Sequence, residues 1–204
     1  MTRIFFACHG EPEPDAQNRG GLSPAGKAQG DALARRLVAE EFAAAYASPF
    51  PYTRETAETV AGPRGLPVQP HVLIRDVDFG VLSAFMAQFA ATDTAAMARW
   101  WAEQDPDMRF PGGESIGALR RRVRRFMNQM ADRHPAASVL VATHASTVRM
   151  VALLARGLGD AHHFDPELSI MPCSLTVVDI ALGTKTGGGG VQLVLFADSG
   201  HLRP

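Results

Sequence analysis

Two stretches carry residues suited to chemistry: Ala7-Cys8-His9-Gly10-Glu11 near one end of the chain and Ala142-Thr143-His144-Ala145-Ser146 nearer the other. In each, a histidine stands where an apolar run gives way to a loop. Ile4-Phe5-Phe6 precedes the first and Val139-Leu140-Val141 the second. A neutral imidazole is a nucleophile near pH 7, and small changes in its surroundings decide whether it carries charge. Both apolar runs read as buried strands. In an open α/β sheet, ligands bind beyond the carboxyl ends of parallel strands, where loops and helix N-termini converge. Two histidines delivered to that edge from remote segments can therefore share one pocket.

The elements that must position them follow from composition and punctuation. With 204 residues, 46% of them hydrophobic, the chain can bury one sizeable core. Its 20 Lys+Arg nearly cancel 21 Asp+Glu, which gives no sign of a nucleic-acid or membrane partner. The start lacks the apolar stretch of a secretory signal, and two distant cysteines make no disulfide framework, so a cytoplasmic location is expected. Arg3 to Cys8 reads as a first strand and residues 11–21 as a loop. Ser23-Pro24 reads as an N-cap with proline in the first turn, opening a helix towards Glu41. Ala43 to Ala47 is a second strand, and Ser48 to Tyr52 an irregular crossing around two prolines. Helix resumes from Thr53 to Gly62-Pro63.

Pro67 to Ile74 reads as extended, ending in the polar stretch Arg75-Asp76-Val77-Asp78-Phe79-Gly80. A helical insertion is expected at about 83–108, with Met97, Trp100 and Trp101 covering the core or walling the pocket. Glu114-Ser115 opens a long helix with Leu119, Val123, Phe126 and Met130 on one face. The arginines among them, Arg120, Arg121, Arg122, Arg124 and Arg125, read as a solvated face. Val139 to Thr143 is the strand before His144, and Ser146, at a helix start, leads a helix to Leu154. Two β-rich segments, Ser174 to Ile180 and Val191 to Phe196, flank a glycine run that reads as a hairpin connection. This alternation predicts an α/β fold: a three-layer α/β/α sandwich with a mainly parallel sheet and an antiparallel edge near the C-terminus.

Six pieces in order resemble a known family. His9-Gly10-Glu11 is similar to the Arg-His-Gly-Glu signature of the histidine phosphatase superfamily, the phosphoglycerate-mutase-like group. Leu22-Ser23-Pro24-Ala25-Gly26, Ser48-Pro49 through Glu58, Asp76 to Gly80, Phe110 to Ser115 and Val141 to His144 resemble its further motifs. The resemblance spans nearly the whole chain and implies a single phosphoglycerate-mutase-like domain. It also implies hydrolysis of a small phosphomonoester through a phosphohistidine at His9. His144 would hold the phosphoryl group and Asp76 would be the general acid, with Cys8, Gly10, Glu11, Tyr52 and Ala145 lining the substrate. A carboxylic acid can protonate a leaving oxygen if its surroundings raise its pKa. The partner implied is a small phosphorylated substrate or phosphate-like anion, with a homodimer left open, and no cofactor is expected.

Two positions depart from the family pattern. The arginine expected just before the nucleophile is Cys8, and the one expected after Ser48-Pro49-Phe50-Pro51 is Tyr52. A guanidinium suits those places because its planar fork donates paired hydrogen bonds to phosphoryl oxygens and keeps its charge. Losing one preorganised donor can cost about 3–4 kcal/mol in the transition state. Replacement cations among Arg19, Arg54, Arg75, Arg149, His162 and His163 would keep an enzyme; without them the pocket becomes a binding site for a less anionic ligand or a protein. The bland reading of Arg149 is a helix salt bridge, of the His162-His163 pair a surface loop, and of Cys8 a small apolar strand-end residue. Cys8, His9, His144 and Asp76 are also ligand types that zinc accepts, on residue type alone.

Overall fold

In a computed structural model, residues 1–14, 20–82, 110–181 and 190–203 are described. The expected insertion at about 83–108, Arg19 and most of the glycine run lie outside them. Six strands form one sheet in the order β3-β2-β4-β1-β5-β6. They are β1 (Thr2–Cys8), β2 (Ala44–Ala47), β3 (Val68–Pro70), β4 (Ser138–Thr143), β5 (Leu175–Ile180) and β6 (Val191–Asp198). The first four are mutually parallel, whereas β5 runs antiparallel to both β1 and β6.

Among the described residues, four α-helices flank the sheet: α1 (Pro24–Arg36), α2 (Pro51–Ala61), α3 (Ile116–Arg133) and α4 (Ala145–Arg156). Alternate residues of β1 face opposite sides. Ile4 and Phe6 join one core with Leu119, Val123, Phe126 and Met130 of α3 and with Val148 and Val151 of α4. Phe5 and Ala7 join a second core with Leu33, Leu37, Val60 and Ala61. Because β1 and β4 are covered on both faces, their sequences are continuous apolar runs, as buried parallel strands require.

Local chemistry sets the boundaries. Ser23 caps α1 by accepting from the Gly26 amide. That helix ends at Arg36 rather than running towards Glu41, because Leu37 turns into the core and Arg35 and Arg36 already complement the C-terminal carbonyls. The crossing after β2 is shorter than its two prolines suggest. Pro51 serves as the first helical residue of α2, where its missing N–H is no loss, so Tyr52 lies on a helix. Extended structure after Pro67 is confined to β3, at the sheet edge where Pro70 is tolerated, and Val72–Ile74 is a 3₁₀ turn.

The long helix α3 starts as expected, with Ser115 accepting from the Ala118 amide. Its basic run, however, does not form one solvated face. Arg121, Arg124 and Arg125 are exposed, whereas Arg122 is 8% exposed and lies inside the protein. Arg120 is half-buried and pairs with Asp160. His163, expected on the surface, is fully buried. No helix among the described residues is long and apolar enough to cross a membrane.

Candidate active site

Register brings the two histidines together. β1 and β4 are neighbours, with Cys8 paired to Thr143. The next residue on each strand leaves the sheet at one level, and the His9 amide donates to the Thr143 carbonyl at 2.8 Å. The two imidazoles lie with ring centroids 5.2 Å apart.

His9 is oriented by its own loop. Its Nδ1 lies 2.8 Å from the Gly10 carbonyl, which can only accept, so Nδ1 carries the proton and Nε2 keeps its lone pair. Burial lowers the His9 pKa against the opposing Gly10 carbonyl and Asp76, so the ring is neutral near pH 7. The Gly10 amide donates to Thr56 on α2, and Glu11, exposed, accepts from the Ser23 hydroxyl at the start of α1. Gly10 and Gly26 are needed here for close approach. A Cβ at Gly26 would lie 2.1 Å from the Glu11 carbonyl oxygen, and one at Gly10 2.8 Å from that of Gly26.

His144 caps the start of α4 and is 1% exposed. Its Nε2 pairs with the Ser48 hydroxyl at 2.8 Å. Its Nδ1 is buried without a hydrogen-bond partner, 3.9 Å from a carboxylate oxygen of Asp76. Burial drives its pKa down to about 3, despite the opposing Asp76 charge. Asp76 is 45% exposed at its side chain. Burial raises its pKa, but His144, the Ser146 hydroxyl, the Val77 amide and His9 outweigh that and hold the group below the ordinary carboxylate range.

The backbone before Asp76 is bolted in place. Arg122 uses all five of its N–H donors: to the carbonyls of Leu73 and Arg75 at 2.8 Å, to that of Asp76 at 2.9 Å, and twice to Glu114. Thr143 and Thr147 hydroxyls donate to the Ile74 and Arg75 carbonyls. Ser146, which opens α4, donates to Asp76 itself.

At the two departing positions, Cys8 is 3% and Tyr52 5% exposed. Burial pushes both their pKa values up, so thiol and phenol stay neutral. Tyr52 lies 4.6 Å from His9 and 5.8 Å from His144, and Phe50 stacks on it at 5.7 Å. Ala145 opens α4 beside His144, where amides at a helix start lack partners. Among the candidate cations, Arg54 is exposed and pairs with Glu58, Arg75 pairs with Glu114, and His162 is exposed. Arg149 is half-buried and donates through Nε to the Leu168 carbonyl at 2.9 Å, with no salt bridge to a described residue. No group of three or more His, Cys, Asp or Glu among the described residues is clustered to hold a metal ion.

Sequence reasoning missed Ser48, Thr56, Phe50 and the role of Arg122. Arg122 did leave a signal. It lies three residues after Leu119 and four before Phe126, inside the apolar stripe rather than opposite it.

The sequence model of the histidine phosphatase superfamily (branch 1) matches residues 4–188. The chain belongs to that superfamily. It is similar to phosphoserine phosphatase 1 of Hydrogenobacter thermophilus, with 30% identity over 165 residues, 78% of this chain and 77% of that protein. A bifunctional protein of Mycobacterium tuberculosis is 30% identical over 200 residues. That match takes in 95% of this chain but only 53% of the relative, so the chain spans about half of that protein. In fold it is similar to YhfR of Bacillus stearothermophilus, with a TM-score of 0.80 over 100% of both chains at 23% identity. The histidine phosphatase fold and its phosphatase-like relatives thus agree with the paired histidines.

The neutral histidines carry a consequence for stability. Unfolded, a histidine ionises near pH 6.5; folded, His144 and His163 are both pushed by burial to about 3. Between those values the unfolded chain takes up protons that the folded one refuses. Stability should therefore fall as pH drops below about 6.5, by about 1.4 kcal/mol per unit for each such histidine. Urea titrations at pH 7 and pH 5 measure this directly. A midpoint equal at both pH values would contradict the neutral burial of these rings.

Proposed function

We propose that this protein hydrolyses a small phosphomonoester through a phosphohistidine at His9. The observation that carries this reading is the facing pair of imidazoles, His9 with a free Nε2 lone pair and His144 with a buried, unpartnered Nδ1. Nε2 attacks phosphorus as the bond from phosphorus to the ester oxygen breaks. Beside the Asp76 carboxylate, the His144 Nδ1 carries a proton and donates to a phosphoryl oxygen, filling the bond it otherwise lacks. Asp76 is a carboxylate in the free pocket. A phosphoryl dianion bound next to it raises its pKa by like-charge repulsion, which loads the proton that the departing oxygen then takes. Water attacking the phosphohistidine releases phosphate and restores His9.

Incubation with a generic aryl phosphate tests this: release of the aryl alcohol and phosphate is expected, and a rate no higher than the uncatalysed one would overturn it. A second reading has its own support. Cys8 and Tyr52, both buried and neutral, stand where clamping cations are expected, and Phe50 with Tyr52 forms an aromatic wall against the histidines. That surface suits a less anionic ligand held without turnover. Saturable binding of such a ligand by a protein with no phosphatase activity would favour it.

A further inference from the structure

Asp76 is held by one of its two carboxylate oxygens. Its Oδ1 accepts from the Val77 amide at 2.9 Å and from the hydroxyl of Ser146, on the first turn of α4. The surroundings fix the direction of the second bond. The Val77 amide also reaches Ser146 Oγ, at 3.2 Å, and an amide nitrogen can only donate. The hydroxyl therefore accepts from Val77 and keeps one proton to give, which the ionised carboxylate takes. Ser146 is itself buried, so the bond lies inside the protein.

The two oxygens of Asp76 are thereby made unequal. Oδ2 accepts from no described residue and lies 3.9 Å from the His144 Nδ1, in a side chain that is 45% exposed. A proton placed on Oδ1 would face two donors already aimed at that atom. A proton placed on Oδ2 breaks no hydrogen bond. The proton of the neutral acid thus sits on the oxygen beside His144 rather than on the one facing α4. Without the serine, only the amide of the next residue would hold the carboxylate, and rotation about Cβ–Cγ would exchange its oxygens.

We infer that Ser146 is a positioning residue for the reaction: it ties Oδ1 of Asp76 to α4, so that Oδ2 carries the proton given to the departing oxygen. The inference rests on Asp76 acting as the acid in phosphomonoester hydrolysis. In that step the Oδ2–H bond breaks as the ester oxygen takes the proton and keeps the electron pair of its broken bond to phosphorus. The carboxylate left behind regains a proton from the water that attacks the phosphohistidine. The other groups that act on the Asp76 carboxylate are His144, at the start of α4, and His9, after β1. Its charge is felt in turn by Cys8, Tyr52, Arg149 and His163, and Arg122 on α3 donates to its carbonyl. Removing one hydroxyl alters none of these side chains, so a change in the titration of Asp76 reports on Ser146.

Ser146→Ala, assayed on two esters, tests this. At a pH where the acid is loaded in both proteins, kcat/KM should fall about 30-fold on an alkyl phosphate, whose leaving group needs the proton. On 4-nitrophenyl phosphate, whose leaving group departs as a stable anion, it should fall less than about threefold. The carboxylate also loses a donor that favours its charged form. The limb on which kcat falls with rising pH should therefore move up by about one unit, as should the Asp76 carboxyl titration followed by NMR in the free protein. Equal losses on both esters with that titration unmoved would show a merely structural role and overturn the inference. Unchanged rates and an unchanged titration also overturn it, and leave the hydrolytic reading standing. A raised Asp76 titration, with neither ester hydrolysed by the wild type, supports the hold on Oδ1 and defeats the hydrolytic reading. If Ser146→Ala fails to fold, Ser146→Cys, which keeps the volume and donates only weakly, decides by the same measurements.

Discussion

His9→Ala is expected to lower kcat/KM on an aryl phosphate by at least about 10⁴-fold while leaving the fold intact. The magnitude follows from the role: a covalent nucleophile has no substitute, and its removal leaves only what binding and positioning supply. Two features favour His9 over His144 in the proposed role. The Gly10 carbonyl fixes the proton on Nδ1 of His9 and leaves Nε2 bare. His144 is more deeply buried, and its Nε2 is taken by the Ser48 hydroxyl. His9 is half-buried and makes a single side-chain hydrogen bond, so its loss should change Tm by little. Steady-state kinetics and a thermal melt on the same preparation check both halves. Retention of more than a tenth of the wild-type rate would contradict the assignment.

The second large effect is on stability. Arg122→Ala should cost about 3–5 kcal/mol, because breaking a buried ion pair from one side leaves the other charge uncompensated. Here that charge is Glu114, 7% exposed, and three backbone carbonyls at Leu73, Arg75 and Asp76 lose their donor as well. Glu114 also accepts from the Asp78 amide, so both ends of the Asp76 segment depend on this pair. For a chain of this size each kcal/mol moves Tm by about 2–4 °C, so a drop of at least about 6 °C is expected. Phosphatase activity measured well below that Tm should fall too, since Asp76 loses the support of its own carbonyl. A Tm change below about 2 °C would show that the pair is dispensable. Arg121→Ala, an exposed neighbour on the same helix, is the matched control and should change little.

How far the sequence alone reaches depends on the range of the interactions involved. Strands β1 and β4 were legible because a parallel strand covered on both faces must be apolar without interruption, and the loops after them began with polar residues. The pairing of His9 with His144 followed from fold-level rules that send strand ends to one edge. Ser23 and Ser115 were legible as caps because a cap is a contact with the helix's own first turn. Arg122 was not, since a run of arginines looks solvated unless the position within the helix period is weighed against composition. His163 was missed because its burial depends on the segment after α4 packing against α3 and α4, contacts that leave no local trace. Ser48 was visible only as part of a motif; its bond to His144 spans 96 positions. The partners of the candidate cations likewise needed coordinates. Arg54 pairs with Glu58 along its own helix, whereas Arg149 donates through Nε to the Leu168 carbonyl and forms no salt bridge with a described residue.

The central claim is that His9 Nε2 becomes covalently phosphorylated. Rapid mixing with a phosphomonoester, an alkaline denaturing quench that preserves the acid-labile P–N bond, and mass spectrometry of the peptides read it directly. A phosphoryl group on the peptide containing His9, formed at a rate no slower than turnover and absent from His9→Ala, is the predicted result. Turnover with that peptide unmodified throughout, or with the phosphoryl group on His144 or another residue, would contradict it.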